Sequence, residues 1–221
     1  MAKQEKQKQD MGTGSVKKLM VQMAVPALVG QVINLLYNIV DRIYIARIPE
    51  IGTAALGAVG LCFPIVILIT AFTNMYGSGG APLFSIARGA GNREEAHRIQ
   101  NTAFFLEIST AIVLTIIGEI VGRPVLIAFG ASEQALVHAL PYLRIYLLGI
   151  VFSMIATGMN PFINAQGYST VGMTTVIIGA VANIILDPIL IFVCGMGVRG
   201  AAIATILSQA LSALFVLRFL F

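Results

Sequence analysis

Charged residues are scarce in this chain of 221 residues: Asp, Glu, Lys and Arg make up 11% of the sequence, while hydrophobic residues make up 57%. A soluble domain of this size carries about a quarter charged residues, so the composition excludes an ordinary soluble fold. Several apolar stretches approach or exceed the roughly 20 residues that a helix needs to cross a bilayer. The sequence therefore predicts an all-α, polytopic membrane protein whose surroundings are a lipid bilayer.

Cysteine and histidine are equally rare, with two residues of each. Cys62 and Cys194 fall in different apolar runs, where buried unpaired thiols are the favoured interpretation and a disulfide between them stays open. His97 and His138 have no companion at metal-ligand spacing. We also find no nucleophile–base pair and no phosphate-binding loop, so the sequence predicts neither an enzyme nor an organic cofactor.

The apolar pattern predicts a single membrane domain, residues 19–221, behind a polar and Lys-rich tail, residues 1–18. Its six transmembrane helices are predicted at residues 19–45, 53–79, 100–122, 134–158, 168–193 and 199–221. Turn signals predict breaks at residues 89–98, at Arg123-Pro124, at Asn160-Pro161 with Gln166-Gly167, and at residues 194–200. Gly and Ala are dense in the predicted helices, which allows close helix packing in lipid.

The net charge of +4 gives no reason to expect nucleic acid as a partner, but the basic residues are unevenly placed. Nine of the 14 fall on the inner side if the N-terminus is inside. These are Lys3, Lys6, Lys8, Lys17, Lys18, Arg88, Arg93, Arg98 and Arg218. Because basic loops stay in the cytoplasm, we expect a multi-pass protein of the cell membrane with both termini cytoplasmic.

A polar stripe runs along the first predicted helix. Spacings of three, four and three residues place its members on one face, with Tyr37 beside them; they are Gln31, Asn34, Asn38 and Asp41. Charged groups inside hydrocarbon are costly and by default mark ion or substrate paths. A stripe of this length should therefore line an interior cavity or pack against other polar helices.

A second acid, Asp187, lies in the fifth apolar run. Asn183 precedes it by one turn, and Pro188 follows and removes the hydrogen bond to the Ile184 carbonyl. Under the predicted topology Asp41, Asp187 and Thr205 lie at similar depth. Two close carboxylates in a low dielectric cannot both stay charged, so a proton or a cation is expected between them. The alternative is that each Asp caps or hydrogen-bonds a neighbouring helix.

The third predicted helix also carries acids. We expect Glu107, near its inner end, and Glu119, near its outer end, to reach the interface or to pair locally. Arg144 in the fourth helix is expected to pair with an acid or to reach the interface.

Several stretches, taken in order, are similar to one transporter family. They are Pro26–Gln31 with Tyr37–Asp41, Gly79–Asn92, Asn164–Gly167, Asn183–Pro188, and Gly195–Thr205 with Ser208-Gln209. The chain resembles the N-terminal half of the MATE (multidrug and toxic compound extrusion) transporters, closest to their bacterial DinF-like branch. The resemblance covers almost the whole chain after the tail.

The resemblance implies a twelve-helix fold with two six-helix lobes around a central cavity, in which a proton or sodium gradient drives export of organic cations and other drugs. It implies a cation-coupling site formed by Asp41, Asp187, Asn183 and Thr205. If the coupling ion is sodium, Asp41 and Asp187 are its expected ligands. It also implies substrate contacts by Gln31, Asn34, Tyr37 and Asn160. The second lobe is expected to be absent, which leaves a fragment, a homodimer or a separately encoded partner as alternatives.

Two other functions stay open. A lipid-linked oligosaccharide flippase would need more cationic residues facing the cavity to hold a pyrophosphate, whereas the cavity candidates here are amides and acids. A half-lobe that does not transport by itself and needs a partner is the other alternative.

Overall fold

The computed structural model describes residues 15–221, nearly all of them helical. The helices are α1 (Val16–Ala46), α2 (Gly52–Gly89), α3 (Arg93–Ala128), α4 (Glu133–Gly158), α5 (Asn160–Ala165), α6 (Ser169–Pro188) and α7 (Val198–Leu220), and a π-helical turn (Ile189–Val193) continues α6. Of the predicted tail, residues 1–14 lie outside the described residues. Its last three residues form the first turn of α1.

Six helical segments of the described chain are long and apolar enough to cross a bilayer. The short α5 continues α4, and the π-helical turn continues α6, so each of these pairs counts as one segment. Short turns at 47–51, 90–92, 129–132, 166–168 and 194–197 connect the segments, which therefore cross the bundle in alternating directions. This confirms the predicted six-helix membrane fold.

The helices extend beyond the apolar runs that predicted them. The loop expected at residues 89–98 is mostly helical, because the Asn92 side chain accepts the Glu95 amide proton at 3.0 Å and caps α3. The break predicted at Arg123-Pro124 is wrong, since α3 continues to Ala128. The helix ends two residues before Gly130, where φ is 91° and the Ala131 amide bonds back to the Leu126 carbonyl, a C-cap that favours glycine.

Helix α4 lies in the middle of the bundle and packs against α2, α3 and α7. Helix α1 is peripheral and packs mainly along α6, and a Cβ atom on Gly30 would be in van der Waals contact with Met173 and Val176. Most large side chains of α1 face outward, Leu28 and Leu35 among them. Lipid contact accounts for an apolar surface of this kind, since protein surfaces in water rarely expose such patches.

Both cysteines are free. Cys62 is buried in α2, as predicted, with its sulfur 3.6 Å from the carbonyl oxygens of Ala58 and Ala139. Cys194 was expected to be buried but is exposed, because it lies in the turn between the π-helical segment and α7.

Candidate cation-binding site

Asp41 of α1 and Asp187 of α6 face each other where these two helices pack together. Asp187 is 0% exposed, and the carboxyls of Asp41 and Asp187 are close enough to interact electrostatically. Asn183, one turn before Asp187, donates from Nδ2 to Asp187 Oδ1 at 3.3 Å. The polar faces that the residue spacing predicted on two separate helices therefore meet in the fold.

Three buried oxygen atoms at this site have no hydrogen-bond partner in residues 15–221: Asp41 Oδ1, Asn183 Oδ1 and Asp187 Oδ2. All three are acceptors, and a buried acceptor without a donor costs about 1–3 kcal/mol. A proton held between the carboxyls would satisfy two of them, and a hard cation with oxygen ligands would satisfy all three.

In the described part of the chain no group of three or more His, Cys, Asp or Glu side chains is placed to hold a metal ion. The site offers two carboxylates and one amide. When both carboxylates are ionised, binding of one proton or one monovalent cation removes half of the formal negative charge of the site.

Thr205 is not joined to this cluster by hydrogen bonding. Its hydroxyl donates to the Ala201 carbonyl of its own helix at 3.0 Å, and within residues 15–221 no hydrogen bond links it to either acid. Thr hydroxyls inside helices commonly bond the preceding turn in this way. The predicted set of four therefore divides into three residues in contact and one on a neighbouring helix.

Two tyrosines near the acid pair were missed by the sequence interpretation. The rings of Tyr142 and Tyr146 in α4 stack with centroids 6.3 Å apart and an interplanar angle of 8°. Tyr142 interacts electrostatically with both carboxyls, and Tyr37 of α1 does the same. The four-residue spacing of the two α4 tyrosines places them on one helix face, but their position near the acids follows from the packing of α4 and not from this spacing.

A small crevice lies between α1, α4, α6 and α7, with room for about 30 Å³, close to the volume of one water molecule. Asn34 and Tyr37, two of the predicted substrate contacts, line this crevice. Thr175, Gln209 and Ser212 line it as well. The two α7 residues follow Thr205 by four and seven positions, so one polar helix face carries all three. The sequence shows this spacing, but the predicted substrate contacts did not include Gln209 or Ser212.

The remaining predicted contact residues lie elsewhere. Gln31 is exposed on α1, and neither it nor Asn160 lines the crevice. The Asn160 side chain donates to the Gly172 carbonyl at 2.9 Å and also bonds the Thr175 hydroxyl. It therefore connects the α4–α5 junction to α6.

The two acids of α3 behave differently from each other. Glu119 pairs with Arg144, with 3.5 Å between Oε2 and Nε. This confirms the local pairing predicted for Glu119 and the acid partner predicted for Arg144. Glu107 was expected to reach the interface or to pair, and this is wrong because the side chain is 0% exposed and neither oxygen has a partner in the described chain.

Comparison with known proteins identifies the family. The MatE family profile matches residues 26–189, about three quarters of the chain. The chain belongs to the MatE family. It is 27% identical to the multidrug export protein MepA of Staphylococcus haemolyticus over 201 residues, which cover 91% of this chain and 44% of that relative. It is 26% identical to the FAD transporter of Shewanella oneidensis, over 87% of this chain and 43% of the relative.

The fold agrees with this membership. The solved outward-facing conformation of a multidrug resistance MATE family transporter of the MOP superfamily superimposes with a TM-score of 0.87 at 30% identity, covering 94% of this chain and 46% of that one. This MatE chain thus spans less than half the length of the relatives that it matches. It is a multi-pass membrane protein of a transporter family, and the family resemblance and the prediction that it is not an enzyme are confirmed.

Proposed function

We propose that this MatE chain forms one lobe of a cation-coupled antiporter that exports drugs and other organic cations. The observation that carries the proposal is the buried cluster of three unpartnered oxygens on Asp41, Asn183 and Asp187. Because all three are acceptors, the cluster favours a bound cation over an anion or an empty state. A proton or a sodium ion is the proposed coupling ion, and no organic cofactor is required.

In the proposed cycle the acid pair exchanges one cation for another. When the site is open to the outside, Asp41 and Asp187 take up a proton or sodium, which neutralises the local charge and weakens the hold on a cationic drug. Helix α1, which carries Asp41, also contains Pro26 ten residues from its start, and proline is a common point of helix bending. We propose that α1 bends or repacks there as the drug leaves. Release of the ion inside restores the charge, and drug binds again.

The cargo is proposed to contact the polar face next to the acid pair. Asn34 and Tyr37 line the crevice and offer amide and phenol groups, to which we add Gln209 and Ser212. Gln31 on the exposed face of α1 is retained as an outer contact. Asn160 is the weakest member of the proposed set, because its amide is already bonded to α6. Thr205 is proposed to complete the cation site through its free oxygen lone pair.

A complete transport path needs a second lobe. The chain covers 44% of the length of MepA, so we propose that activity arises when this lobe pairs with a second copy of itself or with a second lobe. We place the assembly in the cell membrane with both termini in the cytoplasm, on the distribution of its basic residues.

An anionic cargo is the alternative that one relative favours. The Shewanella oneidensis relative is named an FAD transporter, and FAD carries a pyrophosphate. The polar groups that line the crevice here are amides, hydroxyls and a phenol, and no basic side chain lines it. A pyrophosphate would require cationic partners in the cavity, so organic cations fit this lining better, and the flippase-like function is disfavoured for the same reason.

The test is transport by the purified chain in liposomes. Ethidium or a fluoroquinolone is followed under an imposed proton gradient and, separately, a sodium gradient. Where two copies of the chain pair in the bilayer, we expect gradient-driven movement in the wild type and near-complete loss in Asp187→Asn, because the amide cannot take up a proton and carries no charge to bind sodium. Labelled FAD is the anionic comparison and should not move.

Glu119→Gln is the matched control, since it removes a carboxyl of the same membrane domain that pairs with Arg144 outside the site. It should transport like the wild type. Ethidium efflux by Asp187→Asn at the wild-type rate would contradict the proposed mechanism, and gradient-driven FAD movement without ethidium movement would support the anionic alternative instead.

A further inference from the structure

Glu107 of α3 is a buried carboxyl that the acid pair does not involve. It is 0% exposed, and neither oxygen has a hydrogen-bond partner in residues 15–221. A carboxylate that lacks donors, a counter-ion and water is strongly destabilised, whereas the neutral protonated acid avoids most of that cost. The surroundings of this side chain therefore select its protonated form.

The carboxyl is enclosed at a point where three helices meet. A Cβ atom on Gly158, the last residue of α4, would overlap Glu107 Oε1. A Cβ atom on Gly77 of α2 would overlap the Gly158 carbonyl oxygen. Two glycines thus allow α2 and α4 to close over a side chain of α3.

This enclosure lies directly beside a break in a membrane-spanning segment. Helix α4 ends at Gly158, and α5 begins at Asn160 with Pro161 in its first turn. Because Pro161 has no N–H, the Thr157 carbonyl lacks its usual helical partner. A junction with fewer backbone hydrogen bonds is a place where the two helices can change their relative angle.

The Glu107 enclosure is far from the acid pair. Tyr142, which interacts with Asp41 and Asp187, precedes Gly158 by 16 residues on α4. At 1.5 Å per residue this is roughly 24 Å along the helix. The two sites therefore occupy opposite halves of the lobe, and α4 connects them.

In the described chain no charged group offsets the negative charge of an ionised Glu107. Loss of water on burial is the one effect that acts on this carboxyl. On α2 the neighbouring titratable group is Tyr76, whose hydroxyl is 2.8 Å from Thr110 Oγ1; Arg88, three turns further along, lies over the Phe84 ring. On α3 itself His97 and Arg98 are exposed and more than two turns away. Around Gly158, α4 has no titratable group nearer in sequence than Tyr146, and α5 has none.

We propose that Glu107 is a second proton-binding site of this lobe, protonated while α2 and α4 enclose it and exposed to water when the junction at Met159 opens. On opening, the carboxyl O–H bond breaks, the proton passes to a water molecule and a carboxylate remains; closing reverses this. A role in transport rests on the proposed antiport, to which this site would add one proton per cycle. The proton site itself does not depend on that function.

Infrared spectroscopy of the purified 221-residue chain in lipid tests the protonation directly. At neutral pH we expect the carbonyl-stretch band of a protonated carboxylic acid, which isotope-labelled glutamate shifts and isotope-labelled aspartate does not. The band should be lost in Glu107→Gln and kept in Glu95→Gln, whose exposed carboxyl lies on the same helix. It should also be kept in Asp187→Asn. An unchanged spectrum in Glu107→Gln would overturn the proposal.

Hydrogen–deuterium exchange tests the coupling of this proton to the junction. After correction for the intrinsic pH dependence of exchange, raising the pH should speed exchange of the amides around α5 in the wild type and not in Glu107→Gln, which cannot ionise. Equal pH dependence in both proteins would refute the link to opening. If the chain fails to transport ethidium in liposomes, both of these results would be unaffected, so failure of the proposed antiport is distinguishable from failure of the proton site.

Discussion

Asp41 and Asp187 have the same chemistry but different surroundings, and this difference suggests separate tasks. Asp187 is 0% exposed and accepts a hydrogen bond from Asn183, whereas Asp41 is only partly buried. Arg42, next to Asp41, lies over the Phe63 ring at 4.6 Å and forms no ion pair with an acid in the described chain. We therefore propose that Asp187 anchors the cation and that Asp41 admits it.

Single glycines also decide how closely the helices approach. We predict that Gly77→Ala destabilises the lobe by about 1–3 kcal/mol, the usual cost of overpacking, because its new methyl group would overlap the Gly158 carbonyl. Gly79→Ala in the same helix is the matched control, since its Cβ would meet no atom within 4 Å. Unfolding of the purified variants in detergent measures the difference, and equal stability of the two would contradict the close contact.

At the scale of helices, irregular backbone occurs next to each buried acid. Pro188 follows Asp187 and ends α6, after which the Cys194 amide bonds the Ile189 carbonyl at 2.8 Å in the π-helical turn. The break between α4 and α5 lies beside Glu107 in the same way. Departures from regular helix of this kind are frequent at functional sites, because they supply both polar backbone groups and room for movement.

The Asn160 side chain stabilises the α4–α5 junction against α6. We predict that Asn160→Ala lowers stability by about 1–3 kcal/mol, because the buried Gly172 carbonyl and Thr175 hydroxyl lose a donor. Asn101→Ala, at an exposed position of α3, should change stability by no more than about 0.5 kcal/mol. Thermal unfolding of both variants in detergent is the measurement. A wild-type melting temperature for Asn160→Ala would argue against this role.

At the scale of the whole molecule, long-range contacts decide which sequence predictions hold. The similar depth of Asp41 and Asp187 could be predicted, because helix spacing and alternating topology indicate face and depth, but the sequence alone did not show that their two helices touch. The burial of Glu107 could not be predicted from the sequence, since it depends on the contact between Gly77 and Gly158, which are distant in sequence. The Thr205 hydroxyl donates to the Ala201 carbonyl of its own helix, and this local hydrogen bond competes with the predicted contact to the acids. The spacing of Tyr142 and Tyr146 indicates a shared face of α4, but their position near the acids depends on how the helices pack.

The central claim is that the acid pair binds the coupling cation in competition with an organic cation. Ethidium binding to the purified chain in lipid, measured by fluorescence at several pH values with and without sodium, tests it most directly. We predict that protons or sodium displace ethidium from the wild type and from Glu119→Gln, and that Asp187→Asn loses this competition. Ethidium binding that is indifferent to pH and sodium in the wild type, or competition that persists unchanged in Asp187→Asn, would contradict the account.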